Sequence, residues 1–306
     1  MPLAMTAVLN RDFDGALAQV RTVQKALVDS GVWIPSVLTG LPADVSAYEG
    51  VCTRKGAART FLHVSSCFPR KGVDVLLKAW AQAFTARDEV KLIIKTFPNP
   101  HNTVHEQVWN LSRLYPNMAP IEIVNRDMER DELVNLFRDA DVMVLPTRGE
   151  GYNLPALEAM AAGLPLIVTG HGGHRDFCGP AEARLLDYEF ALSASHVRDT
   201  VSYWADPSVS DLVEALVEQT QPQQQSLIEA RRQRAMASAR DNADVVLYLV
   251  NASESPQGAG YLEPELNILA WINKPVLVLL NQLGAPRAAH EEAAETEAWR
   301  SHLARW

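Results

Sequence analysis

The stretch 141–176 constrains the fold of this chain more than any other part of its sequence. It begins with a short apolar run, 142–145, which is typical of a buried strand. A glycine-containing loop follows, and then the alanine-rich segment 154–162, which Gly163 follows as a glycine often follows the last turn of a helix. A second apolar run, 166–169, comes next. The pattern therefore predicts a strand–loop–helix–strand unit.

The loop between this strand and this helix carries the first candidate site. Gly149 and Gly151 let the backbone approach a ligand, and Asn153 is a good N-cap for the helix. A helix N-terminus attracts anions through its N–H groups and its dipole. Two acids, Glu150 and Glu158, flank this position and could accept hydrogen bonds from sugar hydroxyls beside a phosphate. The alternative is that Glu150 caps the helix and Glu158 is a solvated surface acid.

The sequence of this loop and helix resembles a family signature. Residues 150–165 read Glu-Gly-Tyr-Asn-Leu-Pro-x-x-Glu-Ala-Met-Ala-x-Gly-x-Pro, similar to the Glu-x7-Glu signature of retaining glycosyltransferases with the GT-B fold, of the family 4 kind. The resemblance implies that Glu150 contacts the donor hexose as a catalytic residue and that Glu158 holds the nucleotide ribose. It also implies donor-binding roles in the loop, where the substrate-binding candidates are Gly149, Gly151, Tyr152, Asn153 and Leu154.

A second loop, 67–72, places Arg70 and Lys71 where a diphosphate would lie. Taken alone, a basic dipeptide in a loop is usually solvated surface. The run Pro-Arg-Lys-Gly-Val-Asp, however, resembles the donor-diphosphate loop of the same family, which implies that Lys71 neutralises the departing diphosphate. The family commonly has an arginine five residues before that lysine, where this chain has Ser66. Either Arg70 substitutes for it, or phosphate binding is weaker.

Strand-like and helix-like segments alternate from Phe61 onwards, which predicts an α/β fold with a Rossmann-like parallel sheet, the donor half of a GT-B fold. Ligands of such sheets bind beyond the carboxyl ends of the strands, so both loops should converge at one edge. The predicted strands are 61–65, 90–96, 121–124, 142–145, 166–169 and 184–186, and the predicted helices are 14–30, 73–86, 104–115, 132–138 and 154–162.

The segment 170–176 contains two histidines, His171 and His174, close to Asp176. A metal site is one interpretation, but the spacing is loose, and the resemblance implies that transferases of this fold need no metal. The segment is also similar to the family's glycine pair before an acidic position. We therefore predict a positioning loop, with no metal and no cofactor other than the nucleotide-sugar substrate.

Composition narrows the class of protein. A length of 306 residues suggests about two domains, and a net charge of -9 argues against a nucleic-acid surface. No apolar run approaches the length of a membrane span. Three scattered cysteines and the absence of a secretion signal predict a cytoplasmic protein without a metal cluster.

The tail has a different character. The apolar runs 245–250 and 276–280, with a helix predicted at 263–272, should form two parallel strands joined by a right-handed crossover. This resembles the rear part of a bacterial P-loop GTPase domain, but Gln282 and Gly284 replace the lysine and aspartate of its base-reading motif. Since the chain contains no P-loop sequence, the alternative of a βαβ fragment that only packs is favoured.

The chain is thus predicted to comprise a helical lead-in (1–40), a nucleotide-sugar-binding Rossmann-like domain (41–235) and a partial GTPase-like segment (240–306). The sequence at 29–32 resembles the segment that leads into the second domain of these transferases. Only about thirty residues precede it. The expectation is therefore an incomplete transferase, whose acceptor-binding first domain is absent.

Two functions follow from the sequence. The first is transfer of a sugar from a nucleotide sugar to an unknown sugar or lipid-linked acceptor, with measurable donor binding but negligible transfer by this chain alone. The second is a non-catalytic nucleotide-binding or scaffold protein. A GTPase switch is a third hypothesis, against which the missing P-loop argues.

Overall fold

The structure is a computed structural model, and it describes residues 10, 16–38, 43–52, 56–194, 202–242, 246–251, 276–281 and 297–302. The chain divides into two compact units. The first comprises Met1–Leu38 with Ala43–Asn242, and the second comprises Thr39–Pro42 with Ala243–Trp306.

Strands and helices alternate through most of the first unit. In chain order they are β1 (Ala16–Ala18), α1 (Arg21–Asp29), β2 (Ser36–Leu38), β3 (Thr60–Val64), α2 (Val73–Ala83), β4 (Lys91–Thr96), α3 (Val104–Leu114), β5 (Ile121–Asn125), α4 (Arg130–Asp139), β6 (Val142–Leu145), α5 (Leu154–Ala162), β7 (Leu166–Thr169), β8 (Arg184–Leu186), β9 (Tyr188–Leu192), β10 (Tyr203–Pro207), α6 (Val209–Thr220) and α7 (Gln225–Asn242).

Six strands form one parallel sheet in the order β5-β4-β3-β6-β7-β8. In its centre, Phe61 of β3 lies opposite Leu92 of β4 and Val142 of β6. All four residues of β6 and of β7 are buried, because helices cover both faces of a parallel sheet. The predicted α/β fold with a parallel sheet is confirmed.

The cores on the two faces differ in character. On one face α2 packs against α3 and α6, and Trp80 contacts Phe61 and Phe84 with ring centroids 5.3 and 4.9 Å apart. On the other face the alanine-rich helix α5 packs against α7. Small side chains let α5 approach the sheet closely, and this helix carries the loop of the first candidate site at its N-terminus.

The predicted helix 14–30 is wrong in its first half. Ala16–Ala18 is a strand that pairs in parallel with Ser36–Leu38, and the helix comprises only Arg21–Asp29. Pairing with a distant strand overrides the helical spacing of the apolar residues. The predicted stop is confirmed, because Gly31 has the left-handed backbone (φ 82°) that commonly ends a helix.

A hairpin that the sequence did not reveal follows the sheet. Strands β9 and β10 pair antiparallel, with Glu189 opposite Asp206 and Ala191 opposite Trp204. Phe190 is 62% exposed and lies on the opposite face from Trp204. The face that carries Trp204 and Asp206 holds the hairpin against the candidate site, as shown below.

In the second unit, β11 (Val246–Asn251) and β12 (Val276–Asn281) pair in parallel, with Val246 opposite Val276. The predicted parallel pairing of the tail is confirmed. The predicted crossover helix 263–272 and the positions Gln282 and Gly284 lie outside the described residues. Within the described part of the chain, no helix is long and apolar enough to cross a membrane.

Candidate functional site

The two predicted loops meet at the carboxyl edge of the sheet. Lys71 Nζ donates a hydrogen bond to Glu150 Oε1 at 2.6 Å, and Arg70 Nη1 lies 3.3 Å from Glu150 Oε2 and 3.0 Å from the Gly149 oxygen. The side chains of Glu150 and Lys71 are only 5% and 13% exposed. The predicted convergence is confirmed. The alternative that Glu150 caps α5 is wrong, since its carboxylate is used by the two cations.

Backbone contacts hold the loop 67–72, here called the basic loop, against the loop that carries Glu150. The turn Pro69–Lys71 ends at Gly72, whose φ is 68°. A Cβ atom at Gly72 would lie 1.8 Å from the Pro146 oxygen, so only glycine fits at this crossing. The Arg148 N–H donates to the Arg70 oxygen at 2.7 Å. The relative position of the two loops is therefore set by main-chain contacts.

A third loop supports Glu150 from the other side. The Gly173 N–H donates to the Glu150 oxygen at 3.0 Å, and a Cβ atom at Gly173 would lie 1.8 Å from the Gly151 oxygen. Asp176 ends this turn and accepts a hydrogen bond from the Arg21 N–H at 2.8 Å, which caps helix α1. The segment predicted to position the site thus connects Glu150 to the start of helix α1.

The histidines of this loop belong to the fold. His174 is fully buried, its Nε2 lies 2.7 Å from the Thr169 oxygen, and burial lowers the pKa of its ring. The ring of His171 packs on Tyr188 and Phe190 with centroids 5.2 and 5.3 Å away. In the part of the chain that the structure describes, no cluster of three His, Cys, Asp or Glu side chains could hold a metal ion.

Glu158 faces a different set of partners from Glu150. Its neighbours are Tyr48 and the guanidinium of Arg130, which Asp44 binds at 2.9 Å, and both lower the pKa of its carboxyl. Burial raises the pKa of Glu158 to about 7, and the charge of Arg130 opposes this shift. The alternative of a solvated surface acid is therefore wrong. The structure shows no contact of Glu158 with Lys71 among the described residues.

The other predicted loop residues have distinct surroundings. Asn153 occupies the N-cap position of α5 as predicted, but its backbone is left-handed (φ 77°) and its side chain makes no capping hydrogen bond. Its buried Nδ2 has no hydrogen-bond partner among the described residues. The Tyr152 ring packs 5.1 Å from Phe177, whereas Leu154 is 40% exposed. A Cβ atom at Gly151 would meet no described atom within 4 Å, which leaves open space beside Glu150.

Sequence reasoning missed Arg148, which is 7% exposed and lies between the loops. Its guanidinium donates to both oxygens of Asp74 at 2.6 and 2.8 Å, to Asp206 at 2.5 Å and to the Pro69 oxygen at 2.8 Å. It also lies over the Trp204 ring, 4.7 Å from the centroid. Arg148 thus joins the basic loop, the start of α2 and the hairpin. Its partners are far apart in the sequence, which carries no local signal for them.

The loops that carry Lys71 and Glu150 lie within a segment that matches a known protein family. Residues 58–191 match the family described as glycosyl transferases group 1. The group 1 segment contains β3 to β8, Lys71, Glu150 and Glu158, so the match and the site geometry concern the same part of the chain.

Curated relatives of this chain are glycosyltransferases by name. The chain is 33% identical over 119 residues to an MMP alpha-(1->4)-mannosyltransferase of Mycolicibacterium hassiacum, covering 38% of this chain and 27% of that protein. It is 32% identical over 171 residues to a D-inositol 3-phosphate glycosyltransferase of Saccharomonospora viridis, covering 54% and 37%. A GDP-mannose-dependent monoacylated alpha-(1-6)-phosphatidylinositol monomannoside mannosyltransferase of Corynebacterium glutamicum is 27% identical over 165 residues, covering 52% and 42%. The chain thus spans less than half the length of these relatives.

Solved structures show the same fold. The sucrose-phosphate synthase of Thermosynechococcus elongatus aligns with a TM-score of 0.60 at 17% identity, over 89% of this chain and 62% of that one. Anabaena HepE, solved in complex with UDP and glucose, aligns with a TM-score of 0.60 at 15% identity, over 89% and 68%. The sheet and its helices have the α/β fold of GT-B glycosyltransferases.

Proposed function

We propose that this chain binds a nucleotide sugar and supplies the donor-binding part of a glycosyltransferase. The observation that carries the proposal is the contact of Lys71 and Arg70 with Glu150 at the carboxyl edge of the sheet, inside the group 1 segment. Cations that can hold a diphosphate and a carboxylate that can accept sugar hydroxyls then lie side by side, which is the arrangement that a nucleotide sugar requires.

In the proposed reaction, Lys71 and Arg70 stabilise the charge that develops on the diphosphate as it leaves the sugar. The cations thereby supply the charge neutralisation that a divalent metal provides in other transferases, and Arg70 takes the place of the family's arginine. Glu150 accepts hydrogen bonds from the hydroxyls of the donor sugar and orients it. Glu158 accepts them from the ribose hydroxyls. The Glu-x7-Glu resemblance favours a hexose donor and retention of the anomeric configuration.

The names of the relatives guide the choice of substrates. One relative is named as GDP-mannose-dependent, and one solved structure holds UDP and glucose. We therefore propose a guanosine or uridine diphosphate hexose as donor and a sugar or lipid-linked sugar as acceptor. Cys52, Cys67 and Cys178 are buried thiols, which supports a reducing, cytoplasmic location where such donors are made.

Calorimetric titration of the purified chain with uridine, guanosine and adenosine diphosphate sugars tests the proposal. We expect binding of at least one donor, which Lys71→Ala and Glu158→Ala each weaken. Lys78→Ala is the matched control, because Lys78 is a 61% exposed lysine on the neighbouring helix and should leave binding unchanged. The loss caused by Lys71→Ala should shrink as salt rises, since charge attraction supplies most of it.

A transfer assay with sugar and lipid-linked acceptors separates the enzyme from a non-catalytic nucleotide-binding protein. Transfer to any acceptor that depends on Lys71 supports the transferase. Donor binding with negligible transfer is the result expected of a donor-binding part alone, so only transfer distinguishes the two functions. If the folded chain binds none of the donors, the proposed function is contradicted.

A further inference from the structure

We propose that Glu150 makes this site distinguish a nucleotide sugar from the nucleoside diphosphate that is left after transfer. It does so by binding Lys71 and Arg70 whenever no sugar hydroxyl occupies its carboxylate. The inference rests on the proposed function, because it assigns the diphosphate to the two cations and the sugar to Glu150.

The first observation is that Glu150 already forms ion pairs with Lys71 and Arg70. Oε1 accepts from Lys71 Nζ at 2.6 Å and Oε2 lies 3.3 Å from Arg70 Nη1, so both carboxylate oxygens face a cation. Glu150 is 5% and Lys71 13% exposed. An ion pair with so little water around it is screened weakly by solvent. A diphosphate must therefore compete with Glu150 for Lys71.

The second observation is that the backbone and Cβ atom of Glu150 are held by their neighbours, whereas both cations are at the ends of long side chains. The Gly173 N–H binds the Glu150 main-chain oxygen at 3.0 Å, and the Glu150 Cβ atom lies 3.5 Å from where a Cβ atom at Gly172 would be. Glu150 thus has main chain against it on two sides. Arg70 is 44% exposed, and Lys71 has a long flexible side chain. A ligand is therefore more able to draw the cations away than to displace the acid.

The free energy of binding should therefore differ between a nucleoside diphosphate and a nucleotide sugar. A nucleoside diphosphate that takes Lys71 leaves the nearly buried carboxylate of Glu150 without its partner and beside a second anion, which is unfavourable. A nucleotide sugar brings hydroxyl groups that donate to the oxygens of Glu150 as the cations turn to the diphosphate. When the sugar has been transferred, those hydroxyls leave, Glu150 regains Lys71, and release of the diphosphate is favoured.

The substitution Glu150→Gln tests this because it keeps the shape and removes the charge. A naive view of Glu150 as a binding residue expects every ligand to bind the variant more weakly. Removal of a like charge beside the diphosphate should instead make a nucleoside diphosphate and inorganic pyrophosphate bind about tenfold tighter. The affinity for a nucleotide sugar relative to its nucleoside diphosphate should fall by at least about tenfold, because the amide no longer offers two acceptor oxygens.

The experiment is calorimetric titration of wild type and Glu150→Gln with UDP, GDP, inorganic pyrophosphate and the donor that binds best. Glu218→Gln is the matched control, since it removes an acid that pairs with Arg184 away from the loops and should not strengthen pyrophosphate binding. The gain should disappear when Lys71→Met is added to Glu150→Gln, because the freed cation is then missing. Glu150→Ala serves as a second charge-removing variant if the amide variant does not fold.

The outcomes separate the inference from the proposed function. Tighter diphosphate and pyrophosphate binding that depends on Lys71 supports the inference. If wild type binds a donor but neither Glu150 variant binds pyrophosphate more tightly, the inference is overturned and the proposed function stands. If folded wild type and variants bind no nucleotide at all, the proposed function fails and the inference fails with it.

Discussion

Replacement of Arg148 by alanine should disturb both the stability of the first unit and the geometry of the donor loops. The guanidinium is nearly buried and joins Asp74, Asp206 and the Pro69 oxygen. Truncation removes all of these bonds at once and leaves two carboxylates without their cation. The basic loop and the loop before Glu150 then lose the side chain that lies between them.

The structure gives the size of the effect. Loss of one partner of a buried ion pair costs about 3–5 kcal/mol. The Asp74 and Asp206 side chains are 36% and 43% exposed, so water can compensate part of this loss. Loss of the contact with the Trp204 ring adds about 0.5 kcal/mol. We therefore expect the free energy of unfolding to fall by about 2–3 kcal/mol.

Urea unfolding measures this change, and calorimetric titration with the best donor measures the effect on the site. Donor affinity should fall at least about tenfold, because small displacements of binding groups are costly. Arg184→Ala is the matched control: Arg184 is 19% exposed and pairs with Asp211 and Glu218 away from the loops. It should reduce stability but change donor affinity less than about twofold. Wild-type donor affinity in a folded Arg148→Ala variant would refute the positioning role.

Two further substitutions test the carboxylate of the helix and the third loop. The folded-state pKa of Glu158, about 7, lies above its usual value near 4.5, so its contribution to stability is fully present below about pH 4.5 and is lost as pH rises through 7. Glu158→Gln should abolish this loss, so the variant should be more stable than wild type by about 1–2 kcal/mol at pH 8 but not at pH 4. Thermal unfolding at both pH values measures the difference, and equal differences at the two pH values would contradict the prediction. Gly173→Ala should lower the free energy of unfolding by about 3 kcal/mol and weaken donor binding, because its Cβ atom would overlap the Gly151 oxygen. Gly149→Ala is the control, because a Cβ atom at Gly149 meets no described atom within 4 Å. In the same unfolding experiment it should change stability by less than about 0.5 kcal/mol.

The parts of the fold that short-range patterns determine could be predicted from the sequence. The unit β6–α5–β7 has the predicted boundaries 142–145, 154–162 and 166–169. Continuous apolar runs, a small-residue helix and Gly163 specify it without reference to distant residues. The contact between Lys71 and Glu150 was also predictable, because loops at the carboxyl ends of neighbouring parallel strands meet at one edge.

Features that depend on contacts between distant residues could not be predicted. Ala16–Ala18 became a strand because Ser36–Leu38 pairs with it. The partners of Arg148 lie on α2 and on a hairpin that the sequence pattern did not indicate. The raised pKa of Glu158 comes from burial beside Tyr48, which precedes the sheet in the chain. Asn153 lies at the N-cap of α5 as its residue type predicts, but its backbone is left-handed and its side chain makes no capping hydrogen bond.

A crystal structure of the chain with a bound nucleotide sugar tests the central claim most directly. The account predicts that the diphosphate lies within hydrogen-bond distance of Lys71 and Arg70, that hydroxyls of the sugar donate to Glu150, and that the Lys71–Glu150 contact of 2.6 Å has opened. A nucleotide sugar bound elsewhere, with the contact between Lys71 and Glu150 intact, would contradict it.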